Sequence, residues 1–322
     1  MQAALPPTAE QLGALETPFQ QVWRSLRKDR LAMAGLVVLI GLVVLALLGK
    51  LLTEVWVVFD PATVRLPDKL RPPFSTPSPE LLSAQLPTWG IYPFGTDELG
   101  RSVFARMLQG SFISLSVGIV AVSISLVIGV SLGGVAGFYG RRKWGPFSVD
   151  GLIMRFTDVV LCFPTFFLIL TVVALLPPSI YNIMIVIGMT SWMSTARFVR
   201  AEFLSLRERD FVTAAHALGL PEWRIIFRHM VPNAMAPVLV SASIDVAYAI
   251  LTESALSFLG FGVRPPFATW GNILADGRSY IFDAPWLFAI PGTAILVVVL
   301  AFNLVGEGLR DAMNPRLRKR AS

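Results

Sequence analysis

Long runs without a charged side chain alternate along this chain with short segments rich in arginine. A bilayer core about 30 Å thick takes about 20 helical residues at 1.5 Å rise each, and the runs have that length. They predict six spans. The first is Leu31 to Gly49. The second lies within the uncharged run Met107 to Tyr139, where Gly129, Gly133, Gly134 and Gly137 make the end from about Gly133 the place for the helix to stop or pack closely. The third and fourth share the run Val159 to Ala196, divided at Pro177-Pro178, because two successive prolines suit a loop and not a helix interior. The fifth runs from about Ala234 to Leu259, interrupted by Asp245 and Glu253, and the sixth from Ala284 to Gly306. Kinks are expected at Pro164 and Pro291, each of which removes a backbone donor.

Two connections stand out between the spans. From about Leu51 to Arg106 the proline density forbids long helices and predicts an extended loop or small lid. Within it, Thr96, Asp97 and Glu98 have the chemistry of a helix start, so Gly95 to Gly110 reads as a short external helix feeding the second span. The connection from about Arg197 to Asn233 reads as two short helices. Glu202 to Leu218 places apolar residues near helical spacing, Gly219 supplies a stop, and Pro221 with Glu222 restarts a helix that reaches Met230 and ends at Pro232. Such an element could lie on the lipid surface with its arginines on anionic headgroups, or fit a groove in a partner. Periodicity leaves both open.

Composition and charge narrow the class. Only 15% of the 322 residues are charged and 54% are apolar or aromatic, which excludes a disordered chain and argues against a water-soluble enzyme. The net charge of +6 is placed by topology: Arg24, Arg27, Lys28 and Arg30, then Arg141, Arg142, Lys143 and Arg155, then the arginines between 197 and 228, and finally Arg310 to Arg320 fall on one side of the membrane. By the bias of Lys and Arg toward the cytoplasm, both termini are cytoplasmic and nucleic acid is not needed as a partner. The first apolar run is long for a secretory signal and lacks a small-x-small cleavage site, so it reads as a retained anchor.

Few residues carry candidate chemistry. Charges inside a span cost at least a few kcal/mol and need a protein or water-facing partner. Asp245 falls near the midplane and is a candidate lining residue of a solute path or a carboxylate bonded to a neighbouring helix. Glu253, eight residues on, suits a structural or gating role better than substrate contact. Asp158 reads as a helix-start carboxylate and Cys162 as a lone packing thiol. His216 and His229 have no clustered carboxylate or cysteine, so no metal site is expected. No G-x-x-x-x-G-K-[ST] phosphate loop occurs, and no catalytic constellation lies on the spans, so the chain does not read as an enzyme. A self-contained secondary transporter would need paired repeats or a chain of intramembrane ionisable groups, and only Asp245 and Glu253 are present.

The stretch Asp210 to Asn233, DFVTAAHALGLPEWRIIFRHMVPN, resembles the EAA loop of binding-protein-dependent ABC importer permeases: E-A-A, three residues, Gly, nine residues, I-x-L-P. Ala214, Ala215, Gly219 and Pro232 fall at matching positions, with Thr213 where the family has Glu, His229 at the Ile position and Val231 at the Leu. FGTDELGRSVFARMLQG, LTESALSFLGFGVRPP, WGNILADGR and AFNLVGEGLRDAMNPR are similar to segments of the DppC/OppC subfamily of peptide and nickel permeases. The resemblance implies an all-α polytopic protein of a bacterial or archaeal plasma membrane. It would comprise a tail (1–30), an anchor helix (31–52), an extracytoplasmic loop (53–106), a five-helix permease core (107–309) and a basic tail (310–322). It also implies a second permease of the DppB/OppB type, two cytoplasmic ATPases that bind ATP and Mg in place of this chain, and an extracytoplasmic binding protein. Thr213, Ala214, Ala215, Leu218, Gly219, Pro221, Glu222 and Arg224 would then couple to the ATPases through the loop 197–233. Substrates in the subfamily range over dipeptides, longer peptides, nickel chelates and sugars.

Overall fold

The computed structural model describes residues 18–81, 86–140, 143–144 and 147–313, with side chains described from Val22 and, in the hairpin, at Phe147 and Ser148. Arg141, Arg142, Arg316, Arg318, Lys319 and Arg320, and the Lys143 side chain, lie outside that description. Among the described residues the regular structure is helical except for one hairpin, β1 (Lys143–Trp144) antiparallel to β2 (Phe147–Ser148).

A short helix, α1 (Pro18–Leu26), precedes the first long one, α2 (Arg30–Lys50). The Asp29 carboxylate accepts from the Leu31 and Ala32 N–H groups at 2.9 and 3.2 Å, satisfying donors that have no intrahelical partner. After the loop come α3 (Val103–Tyr139), α4 (Val149–Leu161), α5 (Thr165–Leu175) and α6 (Ile180–Arg207). Then follow α7 (Asp210–Ala217), α8 (Glu222–Arg224), a π-helical segment (Ile225–Met230) and α9 (Val231–Phe258). The order closes with α10 (Trp270–Asp276) and α11 (Trp286–Met313).

Arg30–Val55, Val103–Tyr139, Glu222–Phe258 and Trp286–Met313 are long and apolar enough to cross a membrane, and the pair α4 and α5 adds a fifth span if it is one crossing. The expected third span is therefore not a straight helix. The chain bends by 79° between α4 and α5, with Pro164 at the N-cap of α5, so the proline ends one helix where a kink was expected. At Pro291, by contrast, α11 continues as one helix. Cys162 lies at the α4–α5 break and is exposed, not packed, and Asp158 sits inside α4, not at its start. The Pro177-Pro178 loop separates α5 from α6 as expected; α6 has the length of a span but a more polar sequence, with Asn182, Arg197 and Arg200 on it.

The centre of the fold is the pair α3 and α6, and glycine makes it possible. Gly129, Gly133 and Gly137 recur every four residues, which puts them on one face of α3. A Cβ at Gly133 would stand 2.3 Å from the Ala196 carbonyl oxygen, and one at Gly137 would stand 2.5 Å from Phe203 Cβ. The backbones meet because those atoms are missing, the small-residue packing used where lipid supplies no hydrophobic drive between helices. The helix consequently runs past Gly133 to Tyr139 and packs there instead of stopping. Ion pairs tie α4 to the same partner: Arg197 to Asp158, and Arg200 to Asp150.

Two further expectations change. The external helix proposed from Gly95 is not formed; the helix begins at Val103, with the Ser102 side chain facing the Ala105 N–H at 3.5 Å. The Asp97 carboxylate accepts from the Leu99 and Arg101 N–H groups, both at 2.9 Å, and this local bonding competes with helix formation over 97–101. In the later loop, the first helix is not continuous from Glu202 to Leu218. Residues up to Arg207 belong to α6, and the chain turns at Glu208 and Arg209 before α7. The run Arg207 to Asp210 has nothing to bury, and the turn returns Val212 and Ala215 to the Phe203 cluster. Nor does Pro232 end the second helix. Glu222 to Phe258 forms one helical stretch in which Pro232 sits in the first turn of α9 and the wider π turn precedes it.

Candidate functional site

The corner between α7 and α8 is built on Gly219, whose φ is +71°. The Leu220 N–H donates to the Ala215 carbonyl at 3.1 Å and the Gly219 N–H to the His216 carbonyl at 3.0 Å, the paired bonds of a Schellman end. Nothing lies within 4 Å of where a Cβ would stand, so the backbone conformation alone selects glycine here. On the inner side of the corner, Phe138, Val199, Phe203, Val212, Ala215, Ile225 and Met230 form a buried cluster joining α3, α6, α7 and the start of the α9 stretch. The Arg207 guanidinium adds a 3.2 Å bond to the Phe138 carbonyl. The corner is thereby fixed to the long helices.

Its outer side is apolar and uncovered: Leu218 is 80% exposed, Phe227 68% and Trp223 60%, with the Arg224 guanidinium over the Trp223 ring at 5.3 Å. Thr213, Ala214, Leu218, Gly219, Pro221, Glu222 and Arg224 are all exposed on this corner. Ala215 is not; at 4% exposure it belongs to the inner cluster and supports the surface from behind.

The carboxylates of α9 separate. Asp245 lines a cavity of about 400 Å³ between α3, the end of α4, α5, α6 and α9, whose polar lining includes Ser125, Thr165, Thr190, Ser194 and Thr252. Glu253 does not reach it. Glu253 is fully buried; its Oε1 accepts a 2.7 Å hydrogen bond from the Ser257 hydroxyl, one turn on, and its buried Oε2 has no hydrogen-bond partner among the described residues.

A third cluster lies where the long loop meets α3 and α10, and the sequence reading did not find it. The buried Asp97 carboxylate accepts from Arg101 Nε at 2.7 Å and from Arg106 Nη1 at 2.6 Å. Both arginines also reach Asp276 at the end of α10, at 3.5 and 2.9 Å. Two carboxylates and two guanidiniums balance, and the capping box of Thr269 and Asn272 orients α10 toward them. Beside this cluster, Asp68 accepts from the Tyr92 hydroxyl at 2.5 Å and from the Ser78 N–H at 2.8 Å. Burial, then the Asp68 carboxylate, push the Tyr92 phenol above its ordinary range, so it stays a donor. The motifs around Asp97 and Asp276 thus meet in space, which their separation in sequence conceals.

The helical membrane architecture and the Gly219 corner describe a polytopic protein with an exposed apolar patch on one loop. The chain belongs to the family of binding-protein-dependent transport system inner membrane components, which it matches over residues 125–319. Residues 17–73 match the N-terminal transmembrane domain of oligopeptide transport permease C, making the chain an ABC importer permease of the DppC/OppC type. It is 38% identical to the dipeptide transport system permease protein DppC of Alkalihalophilus pseudofirmus, over 97% of this chain and 94% of that one. It is 38% identical to the di/tripeptide transport system permease protein DppC of Pseudomonas aeruginosa, over 95% and 94%. With the oligopeptide transport system permease protein OppC of Bacillus subtilis the identity is 34%, over 91% and 88%.

Proposed function

We propose that this chain is one of two transmembrane subunits of an ATP-driven importer of di- or oligopeptides, paired with a second permease of the DppB/OppB type. In this reading α6 is the fourth of six spans, both termini are cytoplasmic, and the loop 197–233 faces two cytoplasmic ATPases that hold ATP and Mg. An extracytoplasmic binding protein delivers substrate to the opposite side. Peptides are favoured because the relatives' names specify dipeptide, di/tripeptide and oligopeptide transport.

The observation that carries the coupling role is the exposed trio Leu218, Trp223 and Phe227 on a corner braced from behind by the Phe203 cluster. An apolar knob on a rigid mount fits a partner's groove and transmits displacement to α6 and α9. ATP binding would close the ATPases and draw the corners inward. The two permeases would then turn against each other and open the path between them outward, and hydrolysis would reset it.

Retention of the ATPases tests this. Burying a leucine side chain contributes about 1.5–3 kcal/mol, and each 1.4 kcal/mol is tenfold in affinity. Leu218→Ala is therefore expected to weaken copurification of the ATPases with the permease pair by roughly tenfold or more. Retention equal to that of the unaltered complex would remove the corner from the interface.

A further inference from the structure

The geometry points to the Asp245 cavity as a binding site for a cationic group, namely the ammonium of a passing solute. This rests on the transport reading above and extends it to a substrate contact within this subunit.

The lining has a specific chemistry. Asp245 is its one ionisable carboxylate, and no arginine, lysine or histidine shares the cavity. Among the described residues Asp245 takes part in no hydrogen bond or ion pair, whereas Asp97, Asp150 and Asp158 each meet an arginine. A carboxylate within a span needs a counter-charge or water, and nothing on neighbouring helices supplies the charge. The other polar groups are hydroxyls that leave acceptor lone pairs toward the space. Thr190 donates to the Val186 carbonyl at 2.7 Å and Thr252 to the Tyr248 carbonyl at 2.8 Å, so each directs its proton to the backbone. An ammonium carries three donors and no acceptor, and a cavity lined by one carboxylate and several hydroxyl oxygens matches it. The volume, about 400 Å³, lies within the range of small-molecule sites. Ser194 and Tyr248 in the lining are exposed, so the space can be reached from outside the helix bundle.

Charged thiol reagents test the site without requiring transport. In the assembled complex with Cys162→Ser and Ser194→Cys, the rates of modification by the cationic methanethiosulfonate ethylammonium and the anionic ethylsulfonate are compared. The cation-to-anion rate ratio, normalised to that of a small free thiol, is expected to be at least tenfold. It should fall to near unity with Asp245→Asn and persist with Asp245→Glu. Raising salt from about 0.01 to about 1 M shortens the Debye length from about 30 to about 3 Å, and should lower the ratio in the Asp245 background as well. That arm serves should Asp245→Asn fail to assemble. In proteoliposomes, Asp245→Asn is expected to lower uptake of a radiolabelled zwitterionic dipeptide at least tenfold, with Asp245→Glu retaining most of it. A ratio near unity with Asp245 in place, or one that Asp245→Asn leaves unchanged, overturns the inference whatever the complex imports. A high, Asp245-dependent ratio in a complex that imports no peptide sustains the cation site and overturns the peptide reading instead.

Discussion

Arg106→Ala is expected to destabilise the protein by about 3–5 kcal/mol, because it strands buried carboxylate charge. Arg106 is 3% exposed, and its two terminal nitrogens hold Asp97 at 2.6 Å and Asp276 at 2.9 Å. Asp97 is fully buried, so water cannot take the place of the lost donor. Arg101 remains, but its Nε already serves the same Asp97 oxygen. The alanine variant should therefore release the loop around Asp97 from α10, lowering the thermal midpoint of the purified complex and exposing that loop to protease. Arg106→Lys should recover only part of the loss, since an ammonium cannot hold two carboxylates in the fixed fork of a guanidinium. Pairing Arg106→Met with Asp97→Asn isolates the coupling, which should exceed about 1 kcal/mol for residues in direct contact. An unchanged midpoint and protease pattern for Arg106→Ala would show that the cluster contributes no net stability.

The second large effect is functional. Gly219→Val should lower ATP-driven uptake at least tenfold while leaving the chain inserted and assembled. The left-handed conformation costs an ordinary residue about 1–2 kcal/mol, and a β-branched one more. With no neighbour to strike, the whole penalty falls on the backbone, and the corner relaxes by changing its angle. Leu218 and Trp223 then point elsewhere, although each is still present. Gly219→Asn should keep most of the uptake, because asparagine tolerates positive φ. Peptide transported per ATP hydrolysed is the quantity to compare. A normal ratio for the valine variant would mean that this geometry is not used in coupling.

Much of this was legible from the chain alone, for identifiable reasons. A bilayer imposes one length on every crossing, so α2, α3, α9 and α11 announce themselves by the absence of charge. Gly219 was readable because a stop before a proline and a carboxylate has one common backbone solution. Elsewhere local chemistry has two outcomes. Thr96, Asp97 and Glu98 can start a helix, yet Asp97 instead bonds its own loop and two arginines, one of them within α3. Pro232 can stop a helix or stand in a first turn, and here it stands in the first turn of α9, directly after a π segment. The burial of Ala215 and the meeting of Asp97 with Asp276 depend on how helices dock, which spacing along one segment does not encode.

In the proposed function this subunit is a gate moved by an outside motor. Proteoliposomes containing the permease pair test it, with peptide accumulation followed against its gradient. Uptake should be absent for the pair alone and appear when the ATPases, the binding protein and ATP are all supplied. Accumulation by this chain without an ATPase would contradict the account.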